Sequence, residues 1–158
     1  MAEPSSLISL EVVTRTGVAL RAEVDEVQAP SVAGEFGVLP GHLPLLAALK
    51  SGVLSYRTHG ESKRGVIGPG FAEVGPDKVL VLCEHWVPED AIDPVATKAA
   101  LDEERAEIER LQGEGTTTGA LYTEHTARID WLEAQLSLAE LWAPGRKQRT
   151  AGTSDAAH

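Results

Sequence analysis

The chain has 158 residues, of which 42% are hydrophobic and 24% charged, and its formal net charge is −10. That length holds one ordinary domain, or a small domain with an appendage, and the apolar fraction can form a core, so two large domains and global disorder are both excluded. The negative charge argues against nonspecific nucleic-acid binding, which depends on Lys and Arg neutralising phosphates.

The single cysteine, Cys83, cannot form a disulfide within the chain, which fits a reducing compartment. It ends the apolar run Val79 to Cys83 and reads as a small buried hydrophobe. A strand-like pattern begins near Leu7 and leaves no room for a signal or transit peptide. No stretch approaches the roughly 20 apolar residues that span a bilayer. Membrane association is therefore expected only through partners.

From Leu7 to Cys83 apolar residues alternate in short runs separated by Gly, Pro or charged turns, the period of half-buried antiparallel strands. Leu10, Val12 and Val13 mark one strand, Ala22, Val24 and the Val27 region another, and Val53, Leu54 and Tyr56 a third. A hairpin turn over residues 58–62 joins the third to Arg64, Val66 and Ile67, because Gly60 accepts the positive φ such turns need. Phe71 to Val74 and Lys78 to Cys83 complete the series around Gly75, Pro76 and Asp77. Short, evenly spaced strands without intervening helices predict an antiparallel, all-β sandwich of about 85 residues, here residues 1–87.

After Trp86, Val87 and Pro88 the composition turns to Glu, Ala, Arg and Leu. Asp93 before Pro94 predicts a helix N-cap with proline at the first helical position. The first helix offers two candidate stripes, Val95, Ala99, Asp102 and Ala106 or Leu101, Ile108 and Leu111. Residues 113–119, rich in Gly and Thr, interrupt it. A second helix runs from about Ala120 to Trp142 with Leu121, His125, Ile129, Leu132, Leu136 and Ala139 at three- and four-residue spacing. The pair reads as an antiparallel helical hairpin over residues 88–142. Residues 143–158, small and polar, are expected to be disordered.

Phosphate-binding loops, His-Glu-x-x-His and Gly-x-Ser-x-Gly elbows are all missing, and His42, His59, His85, His125 and His158 lack metal-ligand spacing. No catalytic residue, metal or cofactor is expected. The helical carboxylates Glu103, Glu104, Glu107 and Glu109 sit among Arg105 and Arg110 as a solvated, charge-paired face.

One segment stands apart: Gly34-Glu35-Phe36-Gly37-Val38-Leu39-Pro40-Gly41-His42-Leu43-Pro44-Leu45-Leu46. Its glycines and prolines predict a compact loop presenting Glu35, Phe36, Val38 and His42, although a sharp corner of the sandwich would explain them as well. This segment resembles the signature loop of the epsilon subunits of F-type ATP synthases, whose pattern is Gly-Glu-[aromatic or Leu]-Gly-x-x-Pro-Gly-His-x-Pro-Leu-Leu. The likeness extends to LEVVTRTG, VDEVQAPSVAGEFG, Leu49 to Val53, and the strands GPGFAEV and VLVL, and so covers about residues 6–142.

The resemblance implies a non-catalytic rotor subunit of the central stalk, bound to the gamma subunit and seated on the membrane ring of c subunits through Glu35, Phe36, Val38, Pro40 and His42. It implies a peripheral place on the cytoplasmic face of a bacterial inner membrane, and coupling of proton-driven rotation to ATP synthesis. The hairpin would be the regulatory arm, reaching the alpha and beta subunits when extended and inhibiting hydrolysis there. Some family members bind ATP through an Ile/Leu-Asp-x-x-Arg-Ala motif. Ile92 and Asp93 match it, but Ala96 and Thr97 replace the Arg and Ala and Pro94 intrudes, so ATP binding is not expected, and Asp93 reads as a helix cap. Two other readings compete: a free-standing ligand-binding sandwich with a helical oligomerisation arm, and an acid–base hydrolase using Glu35 and His42, which lacks a third group and oxyanion donors.

Overall fold

The computed structural model of the protein describes residues 7–141. The predicted tail, residues 143–158, lies outside the described residues. Ten strands come first: β1 (Ile8–Thr14), β2 (Gly17–Val24), β3 (Glu26–Ser31), β4 (Gly34–Val38), β5 (Leu45–Leu49), β6 (Gly52–Thr58), β7 (Glu61–Ile67), β8 (Gly70–Val74), β9 (Lys78–Cys83) and β10 (Trp86–Pro88). A single 3-10 turn, Glu89–Ala91, leads to helices α1 (Pro94–Gly113) and α2 (Ala120–Leu141).

The strands form one continuous sheet in the order β10-β7-β6-β3-β5-β8-β9-β1-β2, with β4 added beside β3. It doubles back on itself because β5 and β6 run along β3 as two halves of one strand, bent at Lys50 and Ser51; the first half pairs with β8 and the second with β7. Gly52 sits at this bend, where a Cβ would lie 2.9 Å from the Pro30 ring. At the opposite corner the Asp25 N–H donates to the Arg57 carbonyl at 2.8 Å, tying the β2–β3 junction to β6. The result is the predicted sandwich. Its pairings are antiparallel except β1 with β9, which are parallel. The predicted strand through Ala22 and Val27 is divided at Asp25 into β2 and β3.

Alternation decides what is buried. Leu10, Val12, Val24, Val27, Leu54, Ile67, Val79 and Val81 meet between the two layers, all essentially inaccessible. Trp86 closes one edge of this core with its ring over Gly65, where a Cβ would come within 2.3 Å of the indole. Cys83 lies in the same core, where burial pushes its thiol up to about 11. The thiol therefore stays protonated at neutral pH and packs as the sequence predicted.

Asp93 caps α1, its carboxylate accepting from the backbone N–H groups of Val95 and Ala96 at 3.1 Å. The helix ends where Gly115, at φ +78°, lets Thr116 N–H return to the Leu111 carbonyl and Gly115 N–H to that of Gln112. Of its two candidate stripes the second is the buried one. Leu101 and Leu111 are fully covered, with Thr97 and Glu104 completing the row, while Val95 is 81% exposed. Polar links add to the join: Glu104 accepts from Arg128 at 2.9 Å and lies 2.6 Å from the His125 ring, Arg105 pairs with Glu133, and Gln112 bonds Tyr122.

The hairpin lies folded against the sandwich, with α2 across β6 and β7. Val66, whose side chain points away from the core that Ile67 enters, is nonetheless fully buried there. Bidentate pairing of Arg64 with Glu89 fixes the 3-10 turn to β7.

Candidate functional site

The compact loop predicted over residues 34–46 is instead an edge strand, a turn and the start of a second strand. In β4, Glu35 stands opposite Pro30, Phe36 opposite Ala29 and Val38 opposite Val27. Period-2 alternation turns Phe36 and Val38 inward together: Val38 is 1% exposed in the core and Phe36 packs against it. The expectation that Phe36 and Val38 supply exposed apolar contact is corrected accordingly. Glu35 is exposed, as predicted.

Pro40 and Gly41 form the centre of the turn. Proline presets φ at the first central position, and Gly41 supplies φ +87° at the second, which lets the His42 N–H return to the Leu39 carbonyl at 3.2 Å. The Gly41 N–H donates to the Pro76 carbonyl at 2.6 Å, binding this turn to the one between β8 and β9. His42 is half-buried, and its Nδ1–H donates to the Leu43 carbonyl at 2.6 Å. Glu35 sits three residues, roughly 10 Å, up the strand from Val38, and His42 lies beyond the turn. No hydrogen bond or ion pair joins the two side chains among the described residues, and the His42 Nδ1–H is already committed to Leu43.

What the segment does display is leucine. Leu39 is 57% exposed, Leu43 80% and Leu46 72%. Sequence reasoning missed them because it took the segment as one loop. The signal was the shared parity of Phe36 and Val38, which sends both inward and leaves the turn leucines outside.

A second surface emerges only from the strand register. Ala48 stands beside Phe71, Phe71 beside Leu82, Leu82 beside Val13, and Val13 beside Val18. Their neighbours Leu49, Ala72, Val81 and Val12 point into the core, so this row lies on the outer face of five strands. Phe71, Leu82 and Val18 are exposed and Ala48 and Val13 half-buried, so the row forms an apolar strip on the outer surface.

On the hairpin, Asp93 spends its carboxylate on the α1 cap, Ile92 is half-buried, Ala96 is exposed and Thr97 is buried at 7%. Arg128 is engaged by Glu104. No group of three or more His, Cys, Asp or Glu side chains converges among the described residues. No helix among them is long and apolar enough to cross a membrane.

A family model for the β-sandwich domain of the ATP synthase delta/epsilon chain matches residues 7–89. The chain belongs to the ATP synthase delta/epsilon family. It is 43% identical over 104 residues to "ATP synthase epsilon chain 2" of Syntrophotalea carbinolica, covering 66% of this chain and 75% of the relative. It is 42% identical over 123 residues to the "ATP synthase epsilon chain" of Herpetosiphon aurantiacus, covering 78% and 84%. Its fold is shared with a chain of the Euglena gracilis mitochondrial ATP synthase at TM-score 0.70 and 24% identity, over 86% of this chain and 83% of that one. Family membership makes this a non-catalytic subunit of the rotary synthase.

Proposed function

We propose that the chain works in the rotor as a rigid adaptor: the outer apolar row docks on the gamma subunit, and the Leu39–Leu43 turn with Glu35 rests on the polar loops of the c-ring. The observation that carries this reading is the outer row Ala48, Phe71, Leu82, Val13 and Val18, an apolar strip whose Phe71, Leu82 and Val18 are exposed. The turn suits a bearing surface because backbone hydrogen bonds at 2.6 and 3.2 Å fix it to the sandwich. Exposed Leu39 and Leu43 supply apolar contact, and Glu35 supplies a charge for basic loops. In this reading the complex holds the chain peripherally at the cytoplasmic face of a bacterial inner membrane. The hairpin reaches the alpha and beta subunits when it leaves the sandwich, and there restrains ATP hydrolysis.

Leu43→Cys in the assembled synthase tests the ring contact. Cys83 is buried and does not compete, so a cysteine at the most exposed turn position should crosslink to a cysteine in the c-subunit polar loop, in the same membranes where Phe71→Cys does not. Crosslinking to the ring from Phe71 and not from residue 43 would invert the assignment of the two surfaces.

A further inference from the structure

Among the described residues, most of the buried side-chain polar atoms without a partner belong to the joint between α2 and the sandwich. Among the described residues three buried side-chain polar atoms have no hydrogen-bond partner: Ser51 Oγ, Trp131 Nε1 and Gln135 Nε2. Trp131 and Gln135 are four residues apart on α2, and therefore on one face of it. The Trp131 ring stacks on His85 of the sandwich with centroids 4.6 Å apart, which identifies that face as the one turned to the strands. Ser51 lies apart from them in the sequence, at the β5–β6 bend. Two of the three orphaned groups thus lie on the α2 face turned to the sandwich. Among the described residues the seam between α1 and α2 has none.

Gln135 is the most telling of the three. It is 5% exposed, yet its amide N–H donors find no acceptor. A buried donor without a partner loses its water and gains nothing in exchange, whereas an apolar side chain of the same length would gain from the same burial. We propose that Gln135, with the Trp131 N–H, is a built-in destabiliser of the docked hairpin, setting how often α1 and α2 leave the sandwich together as a unit. This deepens the regulatory reading of the hairpin given above, and names the residue that tunes it. The geometry favours release as a unit. The α1–α2 join is fully bonded through Glu104, Arg105 and Gln112, and Arg64 with Glu89 keeps the 3-10 turn on β7 as a fixed pivot.

The test uses the full chain alone, so its outcome does not depend on assembly and is separable from failure of the rotor assignment. Native-state hydrogen exchange is followed on α2 and on β6 and β7 in the wild type and in Gln135→Met, which keeps length and removes the orphaned amide. The expected result is exchange at the seam slowed roughly 5- to 100-fold, with amides of the sandwich core around Val79 and Val81 unchanged. Trp131→Phe, which keeps a ring against His85 and deletes the N–H, should slow the same amides. Seam exchange in Gln135→Met that is unchanged or faster overturns the proposal, because Gln135 would then be a satisfied structural residue of the joint.

Discussion

Gly70→Ala is expected to lower the melting temperature of the chain by about 10 °C, following a destabilisation of roughly 3–5 kcal/mol. A Cβ at position 70 would stand 1.9 Å from the Leu82 carbonyl oxygen and 2.7 Å from Cys83 Cα. Both obstacles are backbone, so no side chain can swing aside. Relief requires β8 and β9 to part where Gly70 pairs with Cys83, and β9 also carries β1. Gly37→Ala is the matched control. It too lies in a strand, but its nearest obstacle is 3.9 Å away, and its stability should change by no more than about 0.5 kcal/mol. Thermal unfolding of the two variants side by side decides the matter, and equal melting temperatures would refute the close approach.

Phe71→Asp is expected to leave folding intact and to weaken binding to the gamma subunit by roughly 30- to 1,000-fold, the range of a central interface residue worth about 2–4 kcal/mol. Phe71 stands mid-row between Ala48 and Leu82 and is 56% exposed in the free chain. Its side chain is not part of the core cluster, so a carboxylate there leaves the core packing untouched. In the complex that carboxylate would be buried without a counter-charge. Titration of purified gamma with wild type, Phe71→Asp and the distant surface variant Glu61→Gln gives the comparison. Loss of binding only in Phe71→Asp supports the row as the docking face, and full binding by that variant removes it.

The sandwich was legible because its signals are local. Gly and Pro at residues 58–62 and 75–77 punctuate runs whose alternation places Leu10, Val12, Val79 and Val81 inside. The helical hairpin was legible for the same reason, through Asp93-Pro94 at its start and Gly113 and Gly115 at its bend. What stayed hidden depends on pairing between distant segments. Nothing local says that Val13 lies beside Leu82 in a parallel pair, or that Phe71 lies between Leu82 and Ala48, so the outer row could not be assembled from sequence. Gln135 failed to register for a similar reason: a Gln on a helix reads as solvated until a second surface covers it. The signature segment was found but misjudged in form. Treating it as a loop ignored the parity that buries Val38 and, with it, the exposure of Leu39 and Leu43.

The central claim is that this chain joins the rotor and restrains it through the hairpin. Its most direct test is co-purification of the chain with its own gamma subunit and the catalytic alpha–beta hexamer, with ATP hydrolysis measured with and without the helices beyond the 3-10 turn that ends at Ala91. The account predicts a stable equimolar complex whose hydrolysis rises when the helices are removed. A chain that fails to bind gamma would contradict it outright, and a complex whose hydrolysis is unchanged by the truncation would contradict the inhibitory role of the hairpin.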